Sequence, residues 1–495
     1  MGLQQDTLEI NRRNNPLWSP IQNSVLIGRK MPQRVAQRLK MKNILVISWH
    51  FAPRNTIGAI RFTKMVKYLA RTGEYHFWVI CSSLNEEDIR DELLQRDMDG
   101  VSRYVTILPV PLNRIRLIET FKNHTGKRLV SPQESNDANR ATLSAVNSIV
   151  SAKEKSITGK VKSFFGKSLI ALNDLYIFVC DDLSFARKGI KLSKKLPMDK
   201  MDTMLTTWGP TGSLLLGLKY KKLNKSLKWI VDYRDPCTTS GRFLKWYLSY
   251  VAYKADKNAA YITGAGRTHI GSGKYMEKFH MIRNGFDKED ISGLSNCEHH
   301  NKLWITYTGT IYDGKDNMKP LFKILHELEL EKQISKEHIS VIYAGTDYHI
   351  MQKQAKECGM ESILVNKGKL SRKKALELQY QSDILCVLAW NTKKERDVMK
   401  GKFIEYFMMQ KPVFSIISGT AVGSAVKKIT QRARLGCTLE EAGGMKDYAE
   451  AKQWILSRYQ EFMKNGHLEC HSDGEFLNKY SSAMMAQRFK KLIDA

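Results

Sequence analysis

A chain of 495 residues has the length for two or three domains, each with its own core. Its hydrophobic content of 42% excludes global disorder. Lys+Arg 79 against Asp+Glu 50 leaves a formal charge of +29, which calls for an anionic partner: nucleic acid, a membrane surface or a phosphorylated substrate. The eight cysteines are scattered, with no CxxC pair and no histidine at zinc spacing, so they argue for a reducing compartment and against a structural metal. No run reaches the length of a transmembrane helix. Residues 1–40 carry seven Arg/Lys without an apolar core, which reads as a basic, loosely ordered leader rather than a secretory signal. Met41 is a candidate natural start, because MKNILVIS opens a strand at once.

Asn43–Ser48 is a continuous apolar run, the mark of a strand covered on both faces of a parallel sheet. A loop with Pro53 and Gly58 follows, then an expected helix from Ile60 to Thr72. In it Phe62, Met65, Val66 and Leu69 face inward, while Arg61, Lys64, Lys67 and Arg71 point elsewhere. Phe77–Cys81 is the next strand, so the chain opens as a doubly wound α/β domain does, although GxGxxG is absent. His50 stands at a strand's carboxyl end, where such sheets place ligands, although a lone histidine there is more often structural than functional. Asp97-x-Asp99 reads as charged surface. Residues 112–170 are polar and basic and read as an insertion. Within it Ile157, Val161, Phe164, Phe165 and Leu169 share a helical face that suits acidic lipid or its own domain. Two more basic runs, Arg187–Lys195 and Lys219–Lys228, each hold five basic residues and no acid.

Thr203–Thr207 reads as a strand, Gly212–Leu218 starts a helix, and Trp229–Asp232 is a strand leading into a loop with Arg234 and Asp235. Ala255–Thr263 and Met281–Asp287 are further strand-to-loop transitions, and the polar stretch after Ser292 reads as the interdomain linker. The first domain is thus expected over 41–290 and a second α/β domain over 300–470, with a basic amphipathic helix in 471–495. Strands at Leu303–Tyr307, Ser340–Ala344, Ser362–Leu364 and Asp383–Leu388 continue the βα alternation. Gly309 and Thr310 allow close backbone approach to a ligand, and Lys315 has the reach to a phosphate. In Asp397–Ser415, Phe403, Ile404, Phe407 and Met408 recur at helical spacing and Pro412 ends the helix. Gly401 and Lys402 occupy its entrance, where free N–H groups and the helix dipole attract anions. Glu405 can accept hydrogen bonds from a pair of hydroxyls. The bland alternative is a surface helix with a solvated Lys and Glu.

These stretches, in this order and spacing from Met41 to about Leu439, resemble the retaining "group 1" GT-B glycosyltransferases common in bacterial capsule and lipopolysaccharide synthesis. The carrying residues are MKNILVISWHFAP with Gly58, VDYRDP, ADKNAAYIT, IRNGFD, YTGTIYDGKDN and KGKFIEYFMMQKPVFSI. The resemblance implies an α/β fold of two Rossmann-like domains facing across a cleft. It also implies transfer of a sugar from a nucleotide-diphosphate sugar to a saccharide, in surface polysaccharide synthesis, with retention and without a cofactor; the sequence offers no clear metal-binding carboxylate pair, which favours a metal-independent reaction. By position, Glu405 would hold the ribose hydroxyls and Lys402 the diphosphate. Gly309, Thr310 and Lys315 would line the phosphate site, Gly345 and Lys369 would flank the base, and Gly58 would let the first loop approach the donor. His50, Asp232, Arg234 and Asp235 would shape the acceptor and reaction side, with Lys402, Asp232 and His50 in catalytic roles. Asp397 stands where the family has a Glu, and no Arg precedes the phosphate-site Lys. The implied partners are a nucleotide-sugar donor, a lipid-linked acceptor and an anionic membrane surface, with no nucleic acid. The implied location is cytoplasmic, peripheral on the inner face of the membrane. The alternatives are a catalytically inactive GT-B scaffold, a sugar epimerase of the same fold, and a nucleic-acid-binding protein.

Overall fold

Ile44, Leu45, Val46 and Ile47 have no exposed surface, because β1 (Lys42–Ile47) lies inside a sheet covered on both faces. The computed structural model describes residues 41–85, 88–112, 175–235, 242–266, 270–294, 301–393, 395–396 and 398–495. The basic leader, nearly all of the expected insertion with its amphipathic segment, and Asp397 lie outside these residues. β1 is joined in parallel by β2 (Tyr75–Ser82), β3 (Val105–Val110), β4 (Met201–Thr207), β5 (Lys228–Tyr233), β6 (Tyr261–Gly264) and β7 (Phe279–Met281). The order β3-β2-β1-β4-β5-β6-β7 is that of a doubly wound sheet. A second parallel sheet follows: β8 (Leu303–Thr308), β9 (Ile339–Ala344), β10 (Leu364–Asn366), β11 (Ile384–Trp390), β12 (Val413–Ser418) and β13 (Gly436–Glu440), in the order β10-β9-β8-β11-β12-β13. Two parallel α/β domains are what the apolar strand runs implied. The expected strand at Ser362–Leu364 begins later, because Glu361–Ile363 forms a 3₁₀ turn ahead of β10.

Helices cover both faces of the first sheet. α1 (Ile57–Ala70) and α2 (Glu92–Asp99) lie on one side. On the other lie α3 (Ser184–Gly189), α4 (Gly212–Leu223) and α5 (Arg242–Asn258), whose core includes Phe185, Leu214, Leu216, Leu248 and Val251. The second sheet is flanked by α6 (Lys319–Leu330), α7 (Tyr348–Glu357), α8 (Arg372–Gln381), α9 (Gly401–Tyr406), α10 (Ala425–Arg432) and α11 (Gly444–Asn465). Short α12 (Gly474–Asn478) then leads to α13 (Ser482–Asp494), which returns to the first domain and packs on α1. Met485, Phe489, Leu492 and Ile493 of α13 are buried in the same cluster as Phe62 and Met65. Burying four such side chains contributes roughly 6–12 kcal/mol before the entropy of ordering the tail is subtracted. The basic residues of this helix lie around an apolar face that the first domain's own core covers. No described helix is long and apolar enough to cross a membrane.

The charged face of α1 departs from the sequence expectation. Phe62, Met65, Val66 and Leu69 face the core as expected, but Arg61, Lys64 and Lys67 are buried as well. The Lys64 ammonium meets Asp97 at 2.6 Å, Asp287 at 2.7 Å and Asp290, and Lys67 meets Asp97 at 2.8 Å and Asp287 at 2.7 Å. Asp97 is therefore no surface residue, although Asp99 is exposed. The Asp97, Asp287 and Asp290 carboxylates could by spacing surround a cation, and the two lysine ammonium groups fill that role. Burial pushes the Asp287 carboxyl up, but the Lys64 and Lys67 charges and hydrogen bonds outweigh it and hold it far below its usual range. The same opposition resolves upward for the Lys67 ammonium: burial lowers its pKa, and Asp287 with Asp97 more than restores it. Arg372, at the start of α8 in the second domain, pairs with Asp290 at 2.5 Å and approaches Asp91 at 3.7 Å. The cluster thus joins α1, α2, the segment after β7 and the second domain.

Removing one partner leaves buried charges uncompensated, which costs about 3–5 kcal/mol. Lys64→Ala is expected to lower the unfolding free energy by that amount in urea titration, whereas Arg71→Ala, whose side chain is 43% exposed, is expected to cost under about 1 kcal/mol.

Candidate functional site

In the second domain, the residues expected to bind the donor converge at the carboxyl ends of β8 and β9 and the start of α9. β8 ends at Thr308, and Gly309 follows with φ +131°, a conformation that excludes other residues. The Gly309 amide donates to the Ala344 carbonyl at 2.8 Å, and its own carbonyl accepts from the Tyr343 hydroxyl at 3.1 Å. A Cβ added at Gly345 would lie 2.2 Å from that hydroxyl and 2.4 Å from the Gly309 carbonyl oxygen, so only glycine fits there. Thr310 is half-buried and its carbonyl accepts from Tyr307. Lys402 stands beside Gly309: a Cβ built there would be 4.0 Å from Lys402 Cγ.

α9 is shorter than the apolar spacing implied, because the helix gives way to a turn after Tyr406. Phe403 and Ile404 are buried and anchor it, while a Cβ at Gly401 would meet nothing within 4 Å, so its entrance is open. The Lys402 ammonium donates to Glu405 Oε1 at 2.8 Å, and Gln379 Nε2 donates to the same oxygen at 3.0 Å. Gln379 also donates to Thr308 Oγ1 at 2.8 Å. Burial raises the Glu405 carboxyl pKa, but the Lys402 and Arg372 charges and the two hydrogen bonds overcome it, so the group is held below its usual range as a carboxylate. Lys402 and Glu405 are neither solvated nor independent; they are a partly buried pair.

Lys315 is turned to another partner. It pairs with Glu395 at 2.8 Å and lies over the Trp390 ring at 4.5 Å, with about half its side chain exposed. Lys369 is exposed, next to Gly368 with φ +63°. Lys400, which the pattern did not single out, stands at the N-cap of α9 and holds buried Asp316 at 2.5 Å. Gln379 and Arg372 were also missed; a polar residue inside an ordinary amphipathic helix gives no local signal of a partner far away in the chain.

The first-domain residues divide into two groups. Gly58 opens α1, and a Cβ there would sit 1.5 Å from Arg234 Nη1, so the glycine makes room for the guanidinium. Arg234 Nη2 donates to the carbonyl of Gly209, which has φ +89°, at 3.0 Å, and Nε donates to Asp235 at 3.0 Å. Asp235 is more than half exposed. These residues form one corner, built on the Arg234–Asp235 ion pair, at the carboxyl ends of β4 and β5. Asp232 does not belong to it. It has no exposed surface, and its carboxylate accepts from Arg61 at 3.0 and 2.8 Å and from Thr263 at 2.6 Å. Expected on the reaction side, it instead anchors the α1 arginine inside the sheet. His50 is likewise buried just after β1, its carbonyl accepting from Ser48 at 2.6 Å.

One ionisable residue near these strand ends escaped the sequence reading. Asp182, in the π-helical stretch Phe178–Leu183 that runs into α3, is buried and accepts from the Gly212 amide that opens α4. Burial pushes its carboxyl up to about 7, against the lowering effect of that hydrogen bond.

No family model matches the chain, and no curated protein is detectably similar to it in sequence. Solved structures do match. The Anabaena protein HepE, in complex with UDP and glucose, is similar with a TM-score of 0.51 at 10% identity, over 92% of this chain and 100% of that one. The sucrose-phosphate synthase of Thermosynechococcus elongatus gives 0.53 at 11%, over 92% and 98%. The trehalose-6-phosphate protein of E. coli, bound with UDP-2-fluoro glucose, gives 0.52 at 11%, over 92% and 99%. The fold is GT-B: two Rossmann-like domains, as the sequence motifs implied.

Asp182 makes stability depend on pH. Its folded pKa exceeds the unfolded value, so the folded state binds more protons between the two, and stability falls as pH rises from about 4 to about 7. Asp182→Asn is expected to flatten the urea midpoint across that window and to gain on wild type at pH 8, by up to a few kcal/mol.

Proposed function

We propose that the chain is a glycosyltransferase that moves a sugar from a nucleotide-diphosphate sugar to a saccharide acceptor. The observation that carries this reading is the Lys402–Glu405 pair at the open start of α9, beside Gly309 at the carboxyl end of β8, in a GT-B fold. A carboxylate held ionised accepts two hydroxyls in the way a ribose presents them, and a neighbouring ammonium with free helix N–H groups meets a diphosphate. The UDP, glucose and UDP-2-fluoro glucose named with two of the similar structures support a nucleotide-sugar donor.

In this reading the donor displaces part of the internal pair: the ribose takes over hydrogen bonds to Glu405, and Lys402 turns to the diphosphate. Negative charge grows on the leaving diphosphate as the glycosidic bond breaks, and Lys402 and the α9 amides stabilise it electrostatically. Protein cations rather than a metal neutralise that charge. The corner formed by Arg234, Gly58 and Asp235 receives the acceptor. The reaction proceeds with retention, and the acceptor is lipid-linked, in surface polysaccharide synthesis; the motif resemblance supports these finer assignments. Domain closure excludes water and limits donor hydrolysis.

A thermal-shift panel of UDP, GDP, ADP and CDP tests the donor site. One nucleotide is expected to stabilise the protein by a few kcal/mol when in large excess, with the shift lost in Glu405→Ala. A flat panel would remove the reading. In steady-state kinetics with the nucleotide sugar so identified, Glu405→Ala is expected to raise donor KM. Lys402→Ala is expected to lower kcat by roughly 10- to 150-fold, the equivalent of about 1.5–3 kcal/mol for a charge-assisted contact. Wild-type constants in both variants would reject the assignment.

A further inference from the structure

Arg372, the first residue of α8, sits in a nearly buried place with few hydrogen bonds. Its Nη2 donates to Asp290 at 2.5 Å, and Nη1 lies 3.7 Å from Asp91 Oδ2. Nε and Nη1 are buried without a hydrogen-bond partner among the described residues. A guanidinium is a fork of N–H donors, and each donor left dry and unbonded is unfavourable. An ion pair of this kind adds little net stability, and apolar side chains would seal the contact as well. Its surroundings point to another use.

Roughly two turns further along the same face of α8, about 10 Å away, stands Gln379. Gln379 has no exposed surface and donates to Thr308 Oγ1 at 2.8 Å and to Glu405 Oε1 at 3.0 Å. Between these two residues Leu376 joins one apolar cluster with Phe403 and Ile404 of α9 and with Leu93 and Phe286 of the first domain. α8 is thus clamped at its start to first-domain acids, and its far end reaches the carboxylate of the candidate donor site. The acids are themselves fixed. Asp91 Oδ1 caps α2 by accepting from the Leu93 and Leu94 amides, which leaves Oδ2 facing Arg372. Asp290 is held from α1 by Lys64.

We propose that Arg372 is a positioning residue for the donor: anchored by Asp290 and Asp91 of the first domain, it sets the face of α8 that presents Gln379 to Glu405. Donor binding in the second domain then depends on carboxylates of the first. The inference rests on the reading of Glu405 as the group that takes the ribose hydroxyls. Arg372 also acts on Glu405 through its charge. Lys402 and Arg372 are the cations that face this carboxylate, with Gln379 and the Tyr406 hydroxyl as uncharged neighbours. Around Arg372 itself the charged groups are Asp290 and Asp91, with Lys64 of α1 and Arg96 of α2 on Asp290. Burial raises the Glu405 pKa, and the Lys402 and Arg372 charges hold it down. Once a diphosphate engages Lys402, Arg372 is the remaining cation that keeps Glu405 ionised and able to accept.

The test is calorimetric titration of the full chain with UDP, GDP, ADP and CDP, continued from about pH 8 to about pH 5 with whichever binds wild type. The nucleotide titrates too, so the quantity read is the ratio of variant Kd to wild-type Kd at each pH. Without the guanidinium the Glu405 pKa rises, and its protonated form accepts a pair of hydroxyls poorly. Arg372→Gln is expected to weaken binding about fivefold at the upper pH, and the ratio is expected to climb by a further factor of about three at the lower. Arg372→Lys restores the charge and is expected to return the ratio to a flat profile. A merely structural arginine would lower the melting temperature of Arg372→Gln and leave the ratio near unity throughout, which would overturn the inference. Should Arg372→Gln fail to fold, Arg372→Met with Asp290→Asn removes both charges together. The same climb toward low pH is expected of it, and a flat ratio would again overturn the inference. Wild type that binds none of the nucleotides would remove the donor reading and this inference with it; wild-type binding with flat variant ratios would remove the inference alone.

Discussion

The buried meeting of Lys64 and Lys67 with Asp97, Asp287 and Asp290 is the constraint on which much of the remaining architecture rests. Each charge taken from water costs several kcal/mol, so the group is tolerable only when complete. Its members come from α1, from α2 and from the segment that leaves the first sheet after β7. Completing the cluster therefore fixes where the chain exits the first domain. Arg372 extends the same network into the second domain through Asp290, and its positive charge also reaches Glu405. The geometry between domains and the ionisation of a candidate binding carboxylate thus share one guanidinium. A buried ion network is weak evidence for net stability, but it specifies partners sharply, since a slipped arrangement would strand charge in the core.

Strand identity was legible because a parallel strand covered on both faces is predominantly apolar, and Ile44–Ile47 of β1 and the whole of β11 read that way. Motifs at strand ends were legible for the same reason: Gly309 and Gly345 stand where apolar runs stop. The charged face of α1 was not. Amphipathic periodicity assigns Lys64 and Lys67 to solvent, and only partners 33 and 223 positions away along the chain reverse that. The return of α13 to the first domain was hidden too, because a helix's apolar face does not name the surface that covers it. Asp232 was misplaced by one step: a strand-end acid can face the ligand or the sheet interior, and Arg61 and Thr263 decide it.

At the α9 entrance, the sequence supplied residue types but not their arrangement. Glu405 takes both its donors, Lys402 and Gln379, through one oxygen. An ionised carboxylate in a half-buried place must be satisfied somehow, and here the satisfaction is internal and exchangeable. Gln379 is rigidly placed because Thr308, at the very end of β8, takes its second amide hydrogen. The strand end thus positions Gly309 for close approach and, through Gln379, the carboxylate beside it. Lys315 and Lys400 contribute differently, being packed on Trp390 and Tyr312 and bound to Glu395 and Asp316. They stiffen the loop around the site and offset each other's neighbours, so less of their charge is available to a ligand than a count of lysines implies.

The same reasoning qualifies the overall charge. A surplus of +29 says that an anion is wanted somewhere, not where. Arg61, Lys64 and Lys67 contribute to that sum yet are neutralised in the core, and several lysines of the second domain are offset within their own helices and turns. The exposed cations without an ion pair are spread over both domains: Arg187, Lys194, Lys222 and Lys245 on the helices behind the first sheet, and Lys323, Lys353, Lys428 and Lys464 in the second domain. Unpaired like charges on one face repel one another and are screened within about a Debye length. The pairing of these residues, rather than their number, is what gives the sequence's basic character a physical meaning.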